Sequence, residues 1–195
     1  MNRDEFALAV DSHGMLRPDS DVAHVFDHER GALPHFLVFS QNRTPRLDIG
    51  GWRSRARSFF DADVGLAVDK DAALQGPEVD AALVMIHAGS SSDVNDVSRT
   101  AGTRLVLTRP TAPPDVELAR TLEAASNAYG LAPLAERCPR VWLIGAEGND
   151  DRSALLLAAV IASFELGPII DPAHSELMGV RTARARHDRL KSAYR

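Results

Sequence analysis

Three aspartates stand where metal-assisted chemistry could use them. Asp11 closes the first apolar run, Asp48 precedes a helical stretch, and Asp69 closes the β-rich run after it. Carboxylates are hard oxygen donors, and divalent ions held between them would activate water and stabilise a leaving oxygen. Asp also follows strands for a plainer reason, because its side chain bonds the backbone of a turn. Four of the seven histidines, His13, His24, His28 and His35, crowd the N-terminal part. On a strand His24 and His28 share a face, since side chains alternate with period two. If His35 joined them, three neutral imidazoles could hold zinc or nickel. One step of register would send His35 to the opposite face.

A second set of residues suits an anion. His87 is followed by Ala-Gly and then Ser90, Ser91, Ser92 and Asp93, a run that leaves a β-rich segment and opens a helical one. Hydroxyls and free N–H groups at a helix start favour phosphate or carboxylate, although Ser and Asp there also serve as simple caps. Arg109 follows the next strand. Glu147, Asn149 and Asp150 occupy the glycine-bearing stretch 145–151. Their acids suit hydroxyl groups or a cation, or again a helix cap. Neither G-x-G-x-x-G nor G-x-x-x-x-G-K-[ST] occurs, and no cofactor-binding signature stands out. There is no G-x-S-x-G elbow, and of the histidines only His174 lies in a loop that could serve a serine nucleophile. The preferred reading is a binding site for a small polar or anionic ligand, made by His87, Ser90, Ser91, Arg109, Glu147, Asn149 and Asp150.

The elements that must position these residues follow from periodicity. The first forty residues read as an antiparallel β-meander, Phe6–Val10, Val22–Asp27 and Leu33–Ser40, with turns at Asp11–Gly14 and Glu29–Gly31. Trp52–Phe60 reads as a helix with Arg53, Arg55 and Arg57 turned to solvent. Val64–Val68, Ala81–His87, Thr103–Thr108 and Val141–Ile144 are short, nearly continuous apolar runs, as expected of strands covered on both faces. Helical patterns lie between and after them. Ser92–Ala101 ends at Gly102. Asp115–Tyr129 carries a stripe of Leu118, Leu122, Ala125 and Tyr129. Asp151–Glu165 is apolar nearly all round. Val180–Tyr194 carries a stripe of Val180, Ala183, His187, Leu190 and Tyr194. Strand–helix alternation with long crossovers predicts an α/β fold with a mainly parallel, Rossmann-like sheet flanked by helices. The chain divides into the meander (1–48), the alternating part (49–180) and a basic amphipathic helix (181–195). In such a sheet the ligand crevice lies at the carboxyl ends of the strands.

The order of Asp11, Asp48 and Asp69 relative to these elements resembles that of ribonuclease-H-like folds. That resemblance implies a metal-dependent phosphodiesterase or nuclease. Charge argues against nucleic acid as partner. The 195 residues carry a formal net charge of −5, and residues 181–195 hold six basic side chains against one acid. The remainder is therefore at −10, and an acidic body repels a phosphate backbone. The basic end is expected to contact that body; docking on a protein partner, by this helix or by the apolar one, gives a non-catalytic accessory subunit as a third reading. The longest apolar stretch, Ala154–Phe164, is too short to span a bilayer, which takes about 20 residues. No secretory signal is visible. A single cysteine, Cys138, forms no intrachain disulfide and fits a reducing cytoplasm.

Overall fold

The computed structural model describes residues 36–43, 47–67, 81–88, 101–126, 129–145 and 151–192. Seven strands form one sheet: β1 (Phe36–Ser40), β2 (Ala62–Leu66), β3 (Ala81–Ala88), β4 (Ala101–Pro110), β5 (Arg140–Ile144), β6 (Ile169–Asp171) and β7 (Glu176–Met178). Their order across the sheet is β2-β3-β4-β5-β1-β6-β7. Five helices accompany them: α1 (Ile49–Phe60), α2 (Pro113–Ala125), α3 (Leu131–Glu136), α4 (Asp151–Glu165) and α5 (Val180–Ser192).

Every pairing in this sheet is antiparallel. The expectation of a mainly parallel, Rossmann-like sheet is therefore wrong. Near-continuous apolar strands signal cover on both faces, and that condition holds here without parallel strands. On one face Phe36, Val38, Val84, Val106, Trp142 and Ile144 meet α1, α4 and α5. On the other, Leu37, Phe39, Leu105, Val141 and Leu143 meet α2 and α3. The predicted meander before His35, and the predicted helix 92–101 up to residue 100, lie outside the described residues. Ala101 and Gly102 belong to β4.

Helix α4 has the bounds its composition predicts. From Ala154 to Ala162 every residue is at most 1% exposed. A helix of 15 residues this apolar must be enclosed on all sides. It lies against β1, β3, β4 and β6, and α1 and α5 pack on it in turn. Helix α1 begins where the Asp48 carboxylate accepts the Gly51 N–H at 2.8 Å, and it buries Ile49, Trp52 and Ala56. Helix α5 buries Ala183 and His187, as its stripe predicts.

Helix α2 is turned away from its predicted stripe. Its buried residues are Asp115, Ala119 and Leu122, whereas Leu118 is 36% exposed and Tyr129 lies beyond the helix at 87%. The cause is Asp115. Its carboxylate accepts from the two terminal guanidinium nitrogens of Arg109, Nη1 and Nη2, at 2.6 and 2.7 Å and from the Ala112 N–H at 2.8 Å. That doubly bonded pair, with the helix start, sets the rotation of α2.

Two substitutions separate these environments. Leu157→Ala should cost about 2–5 kcal/mol of unfolding free energy, as expected for a fully buried leucine. Leu118→Ala should change it by no more than about 0.5 kcal/mol. Urea unfolding of both variants checks this, and a comparable loss in Leu118→Ala would contradict the observed rotation of α2.

Candidate functional site

An antiparallel sheet has no common carboxyl edge, and the consequence is visible in His87 and Arg109. His87 pairs with Ala101 at one end of β4, whereas Arg109 lies eight residues further along that strand. At about 3.4 Å per residue they stand roughly 27 Å apart, so they cannot clasp one small ligand. His87 is exposed, and Arg109 is committed to Asp115. Asp48 caps α1. Strand β2, which the ribonuclease-H-like arrangement would set beside the first strand, pairs with β3 at the rim of the described sheet. Asp11, Asp69, His13, His24, His28, His35, Ser90, Ser91, Glu147, Asn149 and Asp150 lie outside the described residues. Among the described residues no group of three or more potential ligands could hold a metal ion.

The structure sorts the arginines of α1 and α5 into two kinds. Arg57 grips Asp63 on β2 through two nitrogens at 3.1 and 3.2 Å. Arg53 donates to the Val64 carbonyl at 2.7 Å and lies 3.3 Å from Asp63. Arg186 bonds Asp171 at 2.7 Å and Glu176 at 3.1 Å. This last set is the contact expected between the basic end and the acidic body. Arg55, Arg181, Arg184 and, further along α5, Arg189 differ: among the described residues none of them has an ion-pair partner. Arg55 instead lies over the Phe59 ring at 5.3 Å, and Arg184 over Phe60 at 5.9 Å, contacts that orient a guanidinium without neutralising it.

Of these, Arg55, Arg181 and Arg184, but not Arg189, line one pocket of about 500 Å³. Helix α1 supplies Phe59 and Phe60, α3 supplies Leu131 and Leu134, and the end of α4 with its following turn supplies Ala162, Leu166 and Pro168. The first turn of α5 supplies Val180 beside Arg181 and Arg184. The size is that of a small-molecule site. Its wall is mostly apolar, and among the described residues the charged side chains that line it are all positive. The α5 N-terminus adds the positive end of the helix dipole.

Leu166 stands out in this wall. Its φ is 59°, a left-handed conformation that costs a side-chain-bearing residue about 1–2 kcal/mol. It ends α4 by donating its N–H to the Ala162 carbonyl at 2.9 Å. Glycine is the usual residue for that task. Here glycine is needed one position later, because a Cβ on Gly167 would overlap the Phe39 carbonyl. The strained leucine holds its side chain 59% exposed on the pocket. Phe59, on the same wall, is 48% exposed.

Two other polar clusters have structural roles. Glu165 is buried at the end of α4, where its carboxylate accepts the Ser40 hydroxyl at 2.5 Å and the Trp52 indole N–H at 3.4 Å. Burial pushes this carboxyl above the ordinary range, and the bonds from Ser40 and Trp52 oppose the rise only in part. The cluster joins α4 to β1 and α1. In the β6–β7 turn His174 sets Nδ1 2.8 Å from Asp171 and 2.9 Å from Arg186. A carboxylate-oriented imidazole could serve as a base, but among the described residues no hydroxyl or thiol is hydrogen-bonded to His174, and Arg186 fastens the turn to α5. On the sheet face under α4, buried Arg104 donates to Ser153 at 2.7 Å.

The chain matches no protein-family model, and no curated protein or solved structure is significantly similar to it. Among the described residues no helix is long and apolar enough to cross a membrane. Sequence patterns single out neither Arg55 nor Leu166. The pocket joins segments far apart in the chain, and the only local signal is α1 itself, three arginines and two phenylalanines with no acid among them.

Two outcomes test these environments. Cys138 is 2% exposed and its thiol is pushed up to about 11 by burial. It should resist iodoacetamide at about pH 8 in the folded protein and react on unfolding in urea, since only the thiolate attacks; rapid labelling without urea would contradict its burial. Glu165 is held above its ordinary value of 4.5. The stability it contributes is complete below that value and lost as pH rises through the raised one. Glu165→Gln, which does not ionise, should therefore gain on the parent protein between about pH 4 and pH 8, measured by urea unfolding. An equal difference at both pH values would count against it.

Proposed function

We propose that this chain binds a small anionic ligand in the pocket between α1, α3, the end of α4 and the start of α5. The observation that carries this reading is the partition of the arginines. Those that face strands and turns are matched by Asp63, Asp171 or Glu176. Those that face the pocket are matched by no acid among the described residues. Arginine keeps its charge under all physiological conditions and presents a planar fork suited to carboxylate or phosphate. A cluster of three repels itself unless an anion completes it. The sequence itself points to an anionic ligand, and the pocket offers it a place away from His87 and Arg109.

The test is a thermal-shift titration with inorganic phosphate, short carboxylates and alkyl phosphates. A ligand at 100 times its Kd should stabilise the protein by about 2.7 kcal/mol. In Arg55→Ala/Arg184→Ala that stabilisation should vanish, while the unliganded melting temperature changes little, because each exposed cation–π contact contributes only about 0.5–1 kcal/mol. Equal shifts in the parent and the double variant would move the ligand elsewhere.

A further inference from the structure

We infer that the ligand of this pocket is a single-chain amphiphile, a carboxylate or phosphate monoester carrying an unbranched apolar tail and taken up as a free monomer. The inference rests on the anion-binding reading above and adds the tail.

The pocket is poorly made for a purely polar anion. Besides the three arginines, Ser163 is the only side chain with a polar group that lines it among the described residues. A phosphate or small dicarboxylate would leave the apolar wall in water and find few donors beyond the guanidinium groups. An apolar body with charge at one end matches both parts. Phe59 and Leu166, two of the large apolar side chains most exposed among the described residues, belong to this one wall.

Leu166 strengthens the case from another direction. Asparagine or glycine would close α4 with less strain, yet a leucine is held at positive φ with most of its side chain uncovered. Strain retained at an exposed apolar residue is understandable where a ligand covers it. Charge complementarity fixes the polarity of the occupant, with the head at Arg55, Arg181 and Arg184 and the tail along Phe59 and Leu166.

The experiment is calorimetric titration of the whole chain with hexanoate, octanoate and decanoate below their micellar concentrations. Decanol, inorganic phosphate and phosphatidylglycerol vesicles are run alongside. Each buried methylene should tighten binding about fourfold. Decanol, which lacks the charge, should bind about tenfold or more weakly than decanoate. Leu166→Asn should weaken decanoate about tenfold or more while the melting temperature stays level or rises, because asparagine tolerates the left-handed region. If phosphate binds as tightly as decanoate and depends on Arg184, the tail is wrong and the anion site stands. If no anion binds, or binding ignores Arg55→Ala/Arg184→Ala, both readings fall. If anionic vesicles bind the protein and decanoate does not, the surface meets a membrane and the monomer inference is overturned.

Discussion

A helix with no polar side has to be sheathed, and most of this architecture follows from sheathing α4. Nine consecutive residues of it, Ala154 to Ala162, are essentially inaccessible. A sheet covers one side of such a cylinder and leaves the rest bare. The strands under α4 supply the first cover, and α1 and α5 supply the next. Burying side chains such as Leu155, Leu156, Leu157 and Ile161 stabilises the fold by about 1.5–3 kcal/mol each.

Polar groups then decide how the outer helices sit. Asp63 and the Val64 carbonyl hold α1 to β2 through Arg57 and Arg53. Asp171 and Glu176 hold α5 through Arg186. Asp115 and Arg109 fix α2 on the opposite face. In each case a carboxylate meets a guanidinium across two elements, and in the Asp115 and Asp171 pairs the acid is nearly inaccessible. Breaking a buried pair strands a charge, which costs more than the pair contributes when intact. Such contacts therefore act mainly on geometry. They also consume acids, and three of the arginines left over, Arg55, Arg181 and Arg184, meet at one pocket.

Local features of the chain predict local structure well. The bounds of α4 follow from fifteen nearly all-apolar residues, and Trp52–Phe60, Ala81–His87 and Val141–Ile144 lie within or match observed elements. Strand direction does not follow, because a strand covered on both faces looks the same whichever way its neighbours run. The stripe of α2 misleads because leucine counts as apolar wherever it falls, while the inward turn of Asp115 depends on a guanidinium from another strand. Strands β6 and β7 are three residues each, too short for any period to show. Arg55 looks no different from Arg53 and Arg57 until the place of Asp63 is known.

The position of β1 has a consequence for synthesis. This strand lies near the middle of the sheet, yet both its partners, β5 and β6, come more than about a hundred positions later. Pairings that remote make folding slow. At roughly 5–20 residues per second on the ribosome, Phe36–Ser40 waits on the order of 5–20 seconds for β5 to be made. Throughout that interval Phe-Leu-Val-Phe-Ser is a β-prone apolar segment without its native neighbours, the kind of stretch that pairs with other chains. Its correct burial in the nascent chain is thus a race against association, settled only once the C-terminal third has emerged.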